Sequence, residues 1–288
     1  MTRAEIEKKM EPIIEKCRQR FAPGSSDTAD SPPTQETLRP EIGRVSLIAS
    51  LAQSVLDSGA SGEGLEVGSG YGYLLFPMAS LFPNIRWSAI DHSGQPFATR
   101  QTYRSTFREH NCEFIILDLT RETLPFLDAH FSVVTFSEVL EHLPPERVNF
   151  VLHEITRTMR PGGVLIASSP NQASLENRLL LLRGRSILEM PDESDRAKGI
   201  FGHIRLYTPA EMQSAMAKLG FALERCVIES NNSSYRGTSD RSWRRRIYRI
   251  YEHLEGKVGM LRNLGDTWYM AFRKIPGSPT SQSDGASG

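Results

Sequence analysis

The chain has few cysteines, no net charge and no long apolar run, and each shortage excludes something. Its three cysteines, Cys17, Cys112 and Cys226, lie far apart and show neither disulfide nor metal-site spacing, which points to a reduced compartment. Lys plus Arg number 34 and Asp plus Glu number 34, so the formal charge is zero. Such a balance argues against a dedicated nucleic-acid or acidic-substrate binder. The apolar run Leu179 to Leu182 is short and flanked by arginines, so no transmembrane segment is expected. The start, Met1 to Lys9, is charged and lacks the apolar core of a signal peptide; a cytoplasmic location is the expectation. With 288 residues, the chain can bury one substantial core with an appended lid.

Ile6, Met10, Ile13, Ile14, Cys17 and Phe21 recur at helical spacing and predict an amphipathic helix that docks on the domain or covers its site. Residues 22–40 read as a linker, rich in Pro, Gly, Ser, Thr and Asp. A second helix fits from about Ile42 to Leu56. Short apolar runs then alternate with helical stretches: strands ending at Val67 and Asp91, then Glu113–Leu117, Phe131–Phe136 and Val164–Ser168. Arg160-Pro161-Gly162-Gly163 marks a sharp stop before the last of these. The pattern predicts an α/β fold, a Rossmann-like doubly wound, mainly parallel seven-stranded sheet with inserted helical lid segments.

The insertions fall at about 171–202 and 231–264, inside a domain spanning 41–275. Between them, Thr208-Pro209-Ala210-Glu211 supplies an N-cap, a proline at the first helical position and a capping-box acid. The second insertion carries a helical stripe, Trp243, Ile247, Ile250, Leu254, Val258 and Leu261, opposite Arg241, Arg244, Arg245, Arg246 and Arg249. That face reads as an ordinary solvated surface or as a contact for an anionic substrate. Residues 276–288 are expected to be disordered.

The most informative stretch is Leu65-Glu66-Val67-Gly68-Ser69-Gly70-Tyr71-Gly72. A buried strand end running into glycines at alternate positions lets the backbone turn tightly against a ligand. A dinucleotide turn needs its third glycine three positions after the second, and that position is Tyr73. The alternative ligand is S-adenosylmethionine (SAM). In a doubly wound sheet, ligands bind beyond the carboxyl ends of the strands. The polar residues there are Glu66, Asp91, Asp118, Ser137-Glu138 and Ser168-Ser169. Asp91 stands where an acid accepts hydrogen bonds from a ribose, or else caps the next helix. Asp118, one strand later, can accept from an adenine amine.

Leu65–Leu74, Ala89–Asp91, Leu117–Leu119, Phe136–Leu143 and Met159–Asn171 together resemble the successive motifs of the class I SAM-dependent methyltransferases, over about Val45 to Phe221. The resemblance implies that the loop rooted at Glu66, with Gly68, Ser69, Gly70, Tyr71 and Gly72, wraps the methionine moiety. It further implies that Asp91, with His92 beside it, binds the ribose, that Asp118 and the Leu119 backbone read the adenine, and that Glu138 borders the donor.

Methyl transfer from a sulfonium needs an in-line nucleophile, and a hydroxyl nucleophile must lose or share its proton. His142 is the candidate base, with Glu141 beside it. The run Glu138-Val139-Leu140-Glu141-His142 also resembles those of metal-dependent O-methyltransferases, in which a downstream histidine, here His203, completes a site for Mg²⁺ or Mn²⁺. The expected activity is O-methylation of a hydroxyl on a small-molecule or glycan acceptor. RNA 2′-O-methylation and an inactive SAM-binding partner subunit are the rival readings. A homo-oligomer is compatible with all of them.

Overall fold

The structure is a computed structural model that describes residues 1–21, 35–92, 101–188, 202–229 and 263–277. Part of the expected linker, the arginine-faced helix near 241–262, the polar part of the first insertion and most of the tail lie outside the described residues.

Seven strands form one sheet in the order β3-β2-β1-β4-β5-β7-β6. They are β1 (Gly62–Val67), β2 (Ile85–Asp91), β3 (Glu113–Ile116), β4 (Phe131–Ser137), β5 (Met159–Pro170), β6 (Phe221–Glu229) and β7 (Thr267–Lys274). The first five run parallel, and β7 enters antiparallel between β5 and β6. The seven helices are α1 (Arg3–Phe21), α2 (Gln35–Val55), α3 (Leu75–Leu81), α4 (Gln101–Glu109), α5 (Pro145–Thr158), α6 (Leu175–Leu182) and α7 (Pro209–Lys218), counted among the described residues.

Successive strand side chains point to opposite faces, and the core divides accordingly. Val133, Ile166 and Ala271 join Val45, Ile48, Leu75, Phe76 and Trp87 on one face. Val134, Leu165 and Phe272 join Leu152, Ile155, Met212 and Met216 on the other. Because both faces are covered, β4 is buried continuously from Phe131 to Phe136 rather than at alternate positions. The strand order reverses between β1 and β4, which opens a crevice at their carboxyl ends.

Helix α1 buries Ile6, Met10, Ile14 and Cys17 against the layer formed with α2 and α3. Its Arg3 donates to both carboxylate oxygens of Glu229, at 2.8 and 3.0 Å. It docks on the domain, the first of the two roles its stripe allowed. Two boundaries differ from the sequence expectation. Helix α2 starts at Gln35, not near Ile42, and holds Pro40 within it, a residue that normally reads as a helix breaker. Strand β5 starts at Met159, so the Pro161-Gly162-Gly163 stretch is a bulge between the pairs Phe131–Met159 and Val133–Val164 rather than a turn before the strand. Gly163 is required there: a Cβ would lie 2.9 Å from the Arg160 carbonyl oxygen. Among the described residues, no helix is long and apolar enough to cross a membrane.

Candidate active site

The loop after β1 holds the first half of the crevice. Gly68 has φ +76°, and a Cβ there would meet Val139 at 2.3 Å, so only glycine lets the loop after β4 come this close. At Gly70, φ is +48° and no heavy atom lies within 4 Å of the Cβ position. A side chain at that point would fill open space above the loop. Gly68 and Ser69 both donate their N–H groups to the Ile90 carbonyl, at 2.9 and 3.2 Å, which ties the loop to the end of β2.

Asp91 completes that tie. Its carboxylate is buried and accepts from the N–H of Gly70 and of His92, each at 2.7 Å. Burial pushes its pKa up, and those two hydrogen bonds work against the push. Glu66, also buried, has one carboxylate oxygen with no hydrogen-bond partner. Desolvation drives its carboxyl well above the usual range; the charge of Asp91 adds to this, while Arg44 and the N–H of Leu75 oppose it. Asp118 accepts from the N–H and hydroxyl of Thr120, at 2.9 and 2.6 Å, with His92 Nε2 3.6 Å away. Partial burial works upward on Asp118, but these bonds and the charges of His92 and Arg121 hold it below the ordinary range. Asp91 and Asp118, which stand at neighbouring strand ends, are thus joined through His92. Ser69 is buried, whereas Tyr71 and Leu119 are half-buried.

The second half is built at the ends of β4 and β5. Glu138 has φ +56°, a left-handed conformation that costs a side-chain-bearing residue about 1–3 kcal/mol and gathers at functional sites. Its N–H donates to the Ser168 carbonyl at 3.0 Å, and its carboxylate accepts from the Ser168 hydroxyl at 2.8 Å. That hydroxyl lies 2.7 Å from Ser137 Oγ, which accepts from the Arg44 guanidinium at 3.2 Å. Burial raises the Glu138 carboxyl, partly offset by Arg44 and Ser168.

Glu141 is 1% exposed. One of its oxygens accepts from Ser169 Oγ at 3.1 Å, and the other, Oε1, has no hydrogen-bond partner. Burial pushes this carboxyl well up, and the neighbouring Glu138 charge adds to the effect.

His142 closes the 3₁₀ turn Leu140–His142. Its Nδ1 lies 3.3 Å from the Gly202 carbonyl, which can only accept, so this contact favours the tautomer with the proton on Nδ1. The backbone carbonyl of Glu141 accepts from the N–H of Ile204 at 2.7 Å and, more weakly, of Arg205 at 3.3 Å. This hangs residues 202–205 over the turn and brings His203 to 5.1 Å from His142, centroid to centroid. Burial and the His142 charge lower the His203 pKa.

Four residues were expected to form a cation site. Glu141, His142 and His203 each offer a ligand atom within 4.8 Å of the others. Glu138 is not one of that group; Ser168 takes its carboxylate instead.

Arg44 was missed in the sequence, where α2 read as a packing helix. The signal was present as a charged pair, Glu41 and Arg44, one turn apart beside the apolar stripe. Its guanidinium pairs with Glu41 and, despite burial, is held strongly protonated by Glu41 and Glu138. Its Nε has no hydrogen-bond partner.

Residues 65–163 match the family model described as a methyltransferase domain. The chain is 24% identical over 168 residues, 57% of its length, to the tRNA N(3)-methylcytidine methyltransferase Mettl2 of Drosophila melanogaster. That match spans 50% of the relative, about half its length. Among solved structures, a chain of the complex between the Haloferax volcanii Trm112 methyltransferase activator and a methyltransferase superposes with a TM-score of 0.51 at 16% identity, covering 84% of this chain and 98% of that one. An S-adenosylmethionine-dependent methyltransferase from Mesorhizobium loti gives the same score and identity, covering 78% and 96%. These likenesses show the fold. That fold is the one found in SAM-dependent methyltransferases.

Proposed function

We propose that this SAM-dependent methyltransferase domain transfers the methyl group to a hydroxyl of a small-molecule or glycan acceptor, with His142 as general base. The observation that carries the reading is the pairing of two features across one crevice. Asp91 is clamped beneath the open face at Gly70, and a histidine whose Nδ1 contact favours a lone pair on Nε2 stands at the end of β4.

SAM supplies an electrophilic methyl carbon on its sulfonium. Gly68, Ser69 and Gly70 leave room for it, Asp91 accepts from its ribose hydroxyls, and Asp118 from its adenine amine. Arg44, whose Nε lacks a partner, can meet the carboxylate end of the methionine moiety. At the acceptor side, Nε2 of His142 removes the hydroxyl proton, and the buried carboxyl of Glu141, 3.9 Å away, steadies the imidazolium that forms. A direct test is His142→Ala assayed for S-adenosylhomocysteine release on sugar, phenol and RNA acceptor panels. Retained turnover on the acceptor accepted by the wild type sinks the base assignment.

Two finer questions belong with this reading. Glu141, His142 and His203 fit a divalent cation, because the unpartnered Glu141 oxygen is buried and faces two imidazoles. A nitrogen-rich set suits Mn²⁺ better than Mg²⁺, and such an ion would lower the pKa of a hydroxyl at the same place. Full activity in excess chelator rules it out. The second question is the acceptor's class. The neutral charge argues against nucleic acid, whereas the Drosophila relative acts on tRNA and the Haloferax neighbour binds a protein activator. An RNA acceptor is therefore the second reading, and the same panel separates the two.

A further inference from the structure

Val139 touches both halves of the crevice. Its side chain packs on Gly68 so closely that a Cβ there would lie 2.3 Å from Val139 Cγ2. Its carbonyl accepts from the N–H of His142 at 3.0 Å and closes the turn that carries the imidazole. The valine therefore ties the loop after β1 to the histidine, and whatever aims Val139 sets the distance between them.

The backbone of Glu138 aims it. Among the described residues, the non-glycine residues with positive φ are Asn111, Ala129 and Glu138. Asparagine tolerates that region, and Ala129 is exposed in a loop before β4, whereas Glu138 follows the end of β4 in the crevice. A glutamate keeps φ +56° only where its surroundings hold it there. Both holds end on Ser168, a buried residue paired with Ser137 across β4 and β5. The Glu138 N–H donates to the Ser168 carbonyl at 3.0 Å, which extends the ladder by one residue. The Ser168 hydroxyl donates to the Glu138 carboxylate at 2.8 Å, which folds the side chain back on β5 while the main chain crosses to Gly68.

We propose that Glu138 and Ser168 form a latch that positions His142 against the methyl donor, acting through Val139 and touching neither reacting group. The proposal rests on His142 as the base and on the donor lying over the loop of Gly68 and Gly70. A misplacement of about 1 Å in a reacting group can cost about 100-fold in rate, so such a latch shows in kcat rather than in binding.

The test compares Ser168→Ala, Glu138→Ala, Glu138→Gly and His142→Ala with the wild type. It reads turnover on an acceptor that the wild type methylates, SAM affinity by calorimetry, and amide hydrogen exchange, which needs no acceptor. Ser168→Ala removes a single oxygen and should lower kcat about tenfold or more, with SAM affinity and acceptor KM kept within about threefold. Exchange of the His142 and Leu143 amides should be faster in this variant. Glu138→Gly should keep more turnover than Glu138→Ala, because glycine takes positive φ freely; a merely structural loss would rank them the other way, since glycine costs the folded chain more entropy. Wild-type kcat in Ser168→Ala, unchanged exchange at residues 142 and 143, or an alanine variant as active as the glycine one overturns the proposal. So does SAM affinity that falls along with kcat, since the effect then runs through Ser137 and Arg44. Turnover retained in His142→Ala marks failure of the base assignment, whereas wild-type kcat in Ser168→Ala beside an inactive His142→Ala marks failure of the latch alone.

Discussion

At the ends of β1 and β2 the crevice is shaped largely by backbone. Glycine N–H groups donate to the Ile90 carbonyl and the Asp91 carboxylate, and open space above Gly70 leaves room for a ligand. At the ends of β4 and β5 it is shaped by side chains: a left-handed glutamate, a serine relay reaching Arg44, and a buried carboxyl with an unpartnered oxygen facing two histidines. Under the proposed function, the difference matches two tasks. One half must hold a single invariant ligand, so fixed backbone geometry suffices. The other half must manage a proton on an acceptor that differs between enzymes of this fold, and only titratable side chains can do that.

If the halves are separable, substitutions should divide cleanly between turnover and donor affinity. The largest effect is expected for His142→Ala, where removing a general base lowers kcat by about 10²–10⁴-fold. Next comes Asp91→Ala. Two hydrogen bonds to a charged group, each worth about 1.5–3 kcal/mol, predict a loss of about 100-fold or more in SAM affinity by calorimetry. Asp118→Asn removes one charged acceptor at the adenine edge and should weaken SAM by about three- to tenfold, read in the same titration.

The smallest effect concerns stability and follows from Glu66. Its carboxyl sits higher in the folded chain than in the unfolded one, so its stabilising share is present at low pH and lost as pH rises through the folded value. Without ligand, the protein should melt at a lower temperature as pH rises from mildly acidic to alkaline. Glu66→Gln should flatten that dependence and raise Tm at alkaline pH by about 2–4 °C, as seen by differential scanning calorimetry. An unchanged slope in this variant would place the pH-sensitive group elsewhere.

The same contrast explains what could be read from the chain alone. Glycines at 68, 70 and 72 and acids at successive strand ends are local signals, because a tight turn and a strand terminus leave their mark within a few residues. Strand positions were legible for the same reason, and the limits that moved, at Pro40 and at Pro161–Gly163, are places where tertiary pairing overrides a breaker. The acceptor half depends on contacts between distant segments. Nothing near Arg44 in the sequence shows that it reaches Ser137, and nothing near Glu138 shows that Ser168 takes its carboxylate. His203 reaches His142 only because two N–H groups of the following residues hang on the Glu141 carbonyl.

The separation of the two halves is tested most directly by titrating SAM into Asp91→Ala and His142→Ala side by side. The expected result is affinity lost in the first variant and kept within about twofold in the second, since the imidazole lies outside the hydrogen bonds that hold the donor loop. Equal losses in both variants, or none in Asp91→Ala, would contradict a crevice built in two parts.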